Sequence, residues 1–269
     1  MVTSNNFMHI SLVAEKIFYI GNFAVTNSLL ASVITSIILI SIAFVVSRAF
    51  KKTPGRLQSI VEMVVDVLDG LSQSVGGQYT RTFLPLVITL FVYILLSNWL
   101  GLLPGFGSIG IYEIEEGHKV FVPLLRGATA DLNTTLALAL ISVFSVQFYG
   151  LSKNKLKYLT RFFNFENPIM FFTGILELIS EFSKIISFSF RLFGNVFAGE
   201  VLISVITALI PVIVPLPFFG LEIFVGLIQA LVFAMLTLVF INIGTQVHGS
   251  ETSVESVHGL AGEEVEHGN

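Results

Sequence analysis

Arg191 and Glu200 are the two charged residues of the run SFSFRLFGNVFAGEVL, whose other side chains are apolar, small or uncharged. A guanidinium and a carboxylate both cost free energy to remove from water unless each finds a partner or a polar cavity. Groups of these types can hold a counter-charge or exchange a proton. Which of these they do depends on the solvent that surrounds the run.

A line of polar residues passes through Arg191 if the region is helical, because successive residues of an α-helix are about 100° apart. The residues within about 40° of Arg191 are Glu177, Ser180, Lys184, Ser187 and Asn195. Glu200 falls on the opposite side of the helix and about 13 Å further along its axis. The helix is therefore predicted to have two polar faces, one centred on a cation and one carrying a carboxylate.

The composition indicates a polytopic membrane protein. The chain has 269 residues, of which 54% are hydrophobic and 12% charged, and its mean hydropathy is +0.86, so one soluble core could not hide its apolar side chains. The net charge of −4 and the scattered cations argue against a nucleic-acid partner. Cysteine is absent, which excludes disulfides and thiolate metal sites, and we expect no metal and no cofactor.

Three segments are predicted to cross the bilayer upright, namely residues 27–46, 83–103 and 132–151. The first carries no charge and is long enough for a hydrocarbon layer of about 30 Å. Basic residues follow the first and third segments but are scarce in the acidic loop between the second and third. The positive-inside rule then places the N-terminus outside and the C-terminus in the cytoplasm.

Residues 55–75 are predicted to form an amphipathic helix, since their apolar side chains recur at helical spacing and acidic side chains take the other face. Such a helix is too polar to span and is expected to lie on the cytoplasmic surface of the bilayer. The alternative is an ordinary soluble helix packed on a partner.

Two further helix-permissive segments, residues 168–210 and 218–247, are too long for upright spans. For the first, either a turn lies near Gly194 or Gly199, or the helix is steeply tilted. Residues 248–269 are acidic and lack apolar periodicity, so we expect a flexible tail.

Glu222 and Gln229 are seven residues apart and share one face of the last helix. Across the proline-containing turn this face could meet the preceding helix, which would bring Glu222 near Glu200. Two neighbouring carboxylates cannot both ionise cheaply, so at least one would exchange protons readily. This arrangement suits a proton entry path.

Ionisable groups at membrane depth face protein or a water-filled cavity and generally mark ion or proton pathways. This is the functional interpretation of Arg191. The alternatives are that Arg191 pairs with Glu177 or Glu200 of its own chain, and that Lys184 only reaches toward the cytoplasmic surface.

Several motifs resemble the subunit a family of the F-type (F1Fo) ATP synthase, the stator of the membrane proton-translocating motor. The strongest is RLFGNVFAGE at 191–200, and the others, in the same order as in the family, are LSNWLGLLPGF, TADLNTTLALAL and QALVFAMLTLVFI. The resemblance covers roughly residues 27–247. It implies an all-α membrane fold in which 168–210 and 218–247 form a hairpin of long tilted helices that faces a ring of c subunits.

The resemblance also implies a non-catalytic subunit that binds no nucleotide and couples proton flow to rotation and ATP synthesis. The implied partners are the c-ring, the peripheral-stalk b subunits and membrane lipid. The implied location is a bacterial plasma (inner) membrane, with an organelle inner membrane as the alternative. Whether the ion is H+ or Na+ stays open, because the coordinating carboxylate belongs mainly to the c subunit.

The resemblance assigns the candidate site residues as follows. Arg191 matches the arginine that faces the ring carboxylates, favours their ionised form and blocks a leak between two offset half-channels. The positions matching the outer half-channel or contacting the arginine are Glu200, Glu222, Asn195 and Gln229. Glu177 and Ser180 match the cytoplasmic half-channel. Asp131 and Asn133 stand where protons could enter, although Asp131 could equally cap a helix.

Two other functions fit the residues. A secondary transporter could bind a small anion at Arg191, and would be active as an isolated chain. A purely structural assembly subunit could pack the polar line against another helix. The motor hypothesis differs from both in predicting no transport without the ring.

Overall fold

The computed structural model describes residues 14–49, 55–75, 80–103, 106, 109–115, 118–154, 158, 162, 168–210 and 213–245. Within these residues there are six long helices: α1 (Asn27–Ala49), α2 (Arg56–Val75), α3 (Thr80–Gly101), α4 (Leu132–Asn154), α5 (Pro168–Leu209) and α6 (Pro215–Thr245). The predicted acidic tail, 248–269, lies outside the described residues.

Five of these helices, all except α2, are long and apolar enough to cross a membrane. This confirms the all-α polytopic class. The bounds differ from the predicted ones by at most three residues: α1 and α4 end later, at Ala49 and Asn154, and α3 and α6 begin earlier, at Thr80 and Pro215. Proline is tolerated in the first turn of a helix because its missing N–H has no partner there in any case.

Helix α5 runs for 42 residues without a break. Of the two alternatives for this segment, a hidden turn is excluded, because Gly194 and Gly199 both lie inside the helix. At 1.5 Å per residue the helix is about 63 Å long, roughly twice the thickness of a bilayer core. An upright α5 would therefore extend well beyond a membrane.

Helix α2 is amphipathic, as its pattern predicts. Leu68 is buried in the core cluster of the bundle, whereas Ile60, Met63 and Val67 are more than half exposed. The exposed side chains recur at intervals of three and four residues and so form one apolar stripe. The stripe is available to a bilayer surface or to another helix.

The bundle core lies between α3, α4, α5 and α6. Helix α3 packs along α6, and α4 contacts both α5 and α6. The ring of Phe188 on α5 lies 4.9 Å from that of Phe233 on α6, and both side chains are buried. These contacts hold α5 and α6 side by side.

Buried hydroxyl pairs join the same helices. Ser142 on α4 lies 2.7 Å from Thr237 on α6, and Thr135 on α4 lies 3.2 Å from Ser189 on α5. Between membrane helices, apolar surface gives no hydrophobic driving force, so packing and such hydrogen bonds, each worth about 0.6 kcal/mol on average, provide the specificity. The hydroxyl pairs fix the register of α4 against its two neighbours.

Short antiparallel strands occupy one end of the bundle, where α1 and α4 begin and α3 ends; we name it the hairpin end. Strand β1 (Lys16–Ile20) pairs with β2 (Phe23–Thr26), and β3 (Gly110–Glu115) pairs with β4 (His118–Pro123). The second pair lies in the segment that was described from the sequence only as an acidic loop. A short 3-10 turn, Ala128–Ala130, leads from β4 into α4.

Candidate functional site

A cavity of about 260 Å³ opens at the hairpin end between α3, α5, α6 and the segment that precedes α4. Its lining includes apolar side chains and a small polar set. The polar side chains are Asn98, Arg126, Ser204, Glu200 and Glu222. The cavity therefore brings together the two glutamates that the sequence pattern placed near each other.

Arg126 and Glu200 form an ion pair at this cavity. The Nε and Nη2 atoms of Arg126 both donate to Oε2 of Glu200, at 3.2 and 3.0 Å. The Arg126 side chain is only 7% exposed, whereas that of Glu200 is 37% exposed. The guanidinium also lies 5.8 Å from the centre of the Phe197 ring, one turn before Glu200 on α5. The pair thus consists of a buried cation and an accessible carboxylate.

Glu222 enters the cavity from α6 and is 7% exposed. Its carboxylate lies against Gly199 so closely that a Cβ atom added at that glycine would overlap it. A side chain at position 199 would therefore have to displace the carboxylate. Because Gly199 directly precedes Glu200, the two carboxylates lie on adjacent parts of one wall.

The segment before α4 is fixed at several points. The amide of Asn27 donates to the Pro123 carbonyl at 3.3 Å, and the hydroxyl of Thr129 donates to the side-chain oxygen of Asn98 at 2.7 Å. Asn98 in turn donates to the Gly226 carbonyl of α6 at 3.0 Å. The segment that carries Arg126 is thereby tied to α1, α3 and α6.

Arg191 lies on the outer surface of α5 and is exposed. Its Nη2 atom is 3.3 Å from the hydroxyl of Ser187, to which it donates. In the described part of the chain no carboxylate forms an ion pair with it. The predicted alternative in which Arg191 pairs with Glu200 is not observed, since Glu200 is held by Arg126.

Small side chains surround Arg191 on the exposed surface of α5. They share the helical face of the arginine and are exposed: Ser180, Ser187, Gly194 and Ala198. Larger apolar side chains, among them Phe190 at 56% exposure, flank them. This surface would allow another helix to approach Arg191 closely.

Asn195 and Gln229 are both less exposed than the arginine. Asn195 is half-buried on α5, one turn beyond Arg191. Gln229 of α6 is 8% exposed, and among the described residues its amide nitrogen has no hydrogen-bond acceptor. The structure therefore leaves a buried donor at the position that the resemblance relates to the arginine.

The polar line of α5 continues toward the end of the bundle opposite the hairpins. Ser180 is exposed and Glu177 is half-buried. Lys184 donates to Oε1 of Glu181 at 2.6 Å and lies 4.8 Å from the centre of the Phe240 ring on α6. A second ion pair, distinct from that of the cavity, thus occupies this half of α5.

Asp131 has the geometry of a helix cap. Its Oδ1 atom accepts from the backbone N–H of Asn133 at 3.2 Å, the second residue of α4, which is the bond that a capping aspartate forms. Its Oδ2 atom accepts from the Ser28 hydroxyl at 2.8 Å. Asp131 and Asn133 are not among the residues that line the cavity.

Sequence reasoning missed three residues that contribute to these arrangements. Arg126, Asn98 and Glu181 were given no role. A lone arginine just before an apolar span, in a loop rich in glutamate, is a signal that could have indicated Arg126. For Glu181, its position three residues before Lys184 was such a signal.

Comparison with known proteins shows which chains this one is similar to. The family model described as ATP synthase A chain matches residues 29–242. A protein of Gloeobacter violaceus described as ATP synthase subunit a is 33% identical over 223 residues, which are 82% of this chain and 85% of that protein.

Proposed function

This chain belongs to the ATP synthase A chain family, the non-catalytic, multi-pass component of the proton-translocating membrane part of the complex, and we propose that it conducts protons through two offset half-channels beside the c-ring. The family membership rests on a match over most of the chain. The half-channels and their residues are proposed from the resemblance of the motifs, and the geometry of the site is the support that this structure adds.

The exposed Arg191 is the observation that carries the proposal. A charged side chain that faces lipid is costly, so a cation on the outer surface of a membrane helix requires a polar partner from another chain. Small neighbours on the same face leave room for that partner. The carboxylates of the c-ring would provide a charge of the required sign.

The cavity at the hairpin end serves as the outer half-channel. It contains Glu200 and Glu222, which are groups that can accept and release a proton. Asn195 and Gln229 lie between these carboxylates and Arg191 in the order of the helices. Protons enter the cavity and pass from its carboxylates to a ring carboxylate. Asp131 follows Ala130, which lines the cavity, and the proposal gives Asp131 and Asn133 a part in proton entry.

The other half-channel leaves from the opposite end of α5. Glu177 is 14 residues before Arg191, about 21 Å along the axis, and Glu200 is nine residues after it, about 13 Å on the other side. The two paths therefore do not meet inside this chain. A proton must ride on the rotating ring from one path to the other, and this requirement couples its passage to rotation.

Arg191 separates the two paths. Its fixed positive charge favours the ionised form of a ring carboxylate and so promotes release of the proton into the exit path past Ser180 and Glu177. The same charge repels a proton that would pass directly between the half-channels. In this arrangement α5 and α6 are tilted along the ring, and the b subunits bind elsewhere on the bundle. The chain lies in a bacterial inner membrane with its N-terminus outside the cell and its C-terminus in the cytoplasm.

Replacement of Arg191 in the complete complex tests the proposal. We expect Arg191→Ala to abolish proton-driven ATP synthesis in vesicles while passive proton conduction is kept or increased. Arg48→Gln is the matched control, because Arg48 is an exposed cation that lies 4.5 Å from the centre of the Phe44 ring on α1. Synthesis that persists in Arg191→Ala would refute the role, and anion uptake by the chain without the ring would favour the transporter alternative.

A further inference from the structure

Arg126 is a buried cation to which the proposed proton path assigns no task. Its guanidinium donates twice to Oε2 of Glu200. The side chain of Glu200 is 37% exposed, whereas that of Arg126 is 7% exposed. A buried charge is costly unless it is compensated. Within the described residues, the cavity-lining carboxylate that compensates Arg126 is Glu200 and not Glu222.

We propose that Arg126 is the positioning residue of the outer half-channel: it holds Oε2 of Glu200 and thereby presents Oε1 to the cavity as the oxygen that takes up protons. In the described structure no hydrogen bond reaches Oε1. Free rotation of the carboxylate would instead expose either oxygen and allow the side chain to swing away from Glu222. This inference rests on the proposed function, because it assigns a task within the same proton path.

The attachment of Arg126 supports a positioning role. Its segment is fixed by Asn27 at Pro123 and by Asn98 at Thr129, on either side of the arginine. A Cβ atom added at Gly101 would lie 3.0 Å from the Cα of Gly127, so the end of α3 packs directly against the residue that follows Arg126. A side chain mounted on so constrained a segment can hold a group of α5 in one place.

The pair also distinguishes the two carboxylates of the cavity. Glu200 is compensated by Arg126, whereas Glu222 lies against the backbone of Gly199 and, among the described residues, forms no ion pair. The two groups therefore cannot act interchangeably. The geometry makes Glu200 the accessible acceptor and Glu222 the buried neighbour to which the proton passes.

The test is a double-mutant cycle in the complete complex, with passive proton conduction measured in vesicles and normalised to the amount of assembled complex. We expect Arg126→Gln to slow conduction by about tenfold, the loss that corresponds to one charge-assisted hydrogen bond. Arg126→Lys should restore most of the rate, because an ammonium can still hold one carboxylate oxygen. In the Glu200→Gln background, Arg126→Gln should cause no further loss.

Several results would overturn the inference. One is proton conduction at the wild-type rate in Arg126→Gln. Another is that Arg126→Gln slows conduction by the same factor in the Glu200→Gln background as in the wild type. The third is a Glu200→Gln variant that conducts protons at the wild-type rate. A merely structural pair would lower the yield of complex without changing the normalised rate, and that outcome also contradicts a positioning role.

Two further comparisons keep the outcome decisive. If Arg126→Gln does not assemble, the double variant Arg126→Gln/Glu200→Gln, which removes both charges, is compared with Glu200→Gln alone. Equal rates support the inference and a lower rate in the double variant contradicts it. Arg191→Ala tests the proposed function separately. If Arg191→Ala loses ATP synthesis while Arg126→Gln conducts protons normally, only the role of Arg126 is overturned.

Discussion

Replacement of Gly199 by alanine tests whether the contact between α5 and α6 controls proton entry. A Cβ atom at this position would overlap the carboxylate of Glu222, which is the flexible end of its side chain and borders the cavity of about 260 Å³. The carboxylate can therefore move away into the cavity. We expect the cost of overpacking to fall at the low end of its usual range, about 1 kcal/mol.

The effect on proton conduction should be much larger than the effect on stability. A displacement of a reacting group by about 1 Å can reduce a rate by as much as a hundredfold. We expect Gly199→Ala to lower ATP-driven acidification of inverted vesicles by between about tenfold and a hundredfold, with the complex still assembled. Shortening the acid in Gly199→Ala/Glu222→Asp should recover part of the rate, because the shorter side chain leaves space for the methyl group.

Gly220→Ala is the matched control. Gly220 also lies inside a helix, is exposed, and has nothing within 4 Å of an added Cβ atom. Alanine in a helix interior is favoured over glycine by about 1 kcal/mol, so this variant should be as active as the parent and no less stable. If Gly199→Ala acidifies vesicles as fast as Gly220→Ala does, the reasoning from the Gly199–Glu222 contact is refuted.

Two other substitutions address the remaining polar groups. Lys184→Met should destabilise the chain by about 3 kcal/mol, because it leaves Glu181 buried without its cation. Thermal unfolding of the purified complex should show that Lys184→Met/Glu181→Leu reverses most of this loss. An unchanged unfolding midpoint in the single variant would contradict the prediction. Asp131→Asn keeps an oxygen for the cap of α4 and removes the charge, so slowed proton uptake would support an entrance role and normal uptake would leave Asp131 as a cap. Asp131→Ala should cost about 1 kcal/mol in either case, as measured by the same unfolding assay.

The membrane class and the main helices could be predicted because they depend on local composition. An uncharged segment such as 27–46 has few alternatives to a span, and the lengths of 168–210 and 218–247 already showed that an upright crossing does not fit. Tertiary contacts were harder to infer. The pairing of Arg126 with Glu200 joins residues 74 positions apart, and nothing in local periodicity indicates which carboxylate a loop cation will meet.

The strand pairs at the hairpin end were missed for a related reason. The segment from Gly110 to Pro123 contains alternating apolar residues, but its three glutamates and its position between two spans favoured an irregular loop. The hairpin brings Pro123 next to Asn27 and so fixes the start of the segment that carries Arg126. The strand pair thus helps to determine where a charged group of the cavity lies.

The proposed function gives protons two routes through one chain but no direct one, and the two polar faces of helix α5 suit this arrangement. Successive polar groups of a helix that share one face could form a continuous path, and Glu177, Ser180 and Arg191 do lie on one face. Glu200 lies on the other side, where it shares the cavity with Glu222 of α6 and with Arg126. A proton at Glu200 therefore reaches the Arg191 face only around the helix or by way of another molecule. The route around the helix passes the fixed charge of Arg191, so transfer by way of another molecule is favoured. A rotating ring that carries neutralised carboxylates is a molecule of this kind.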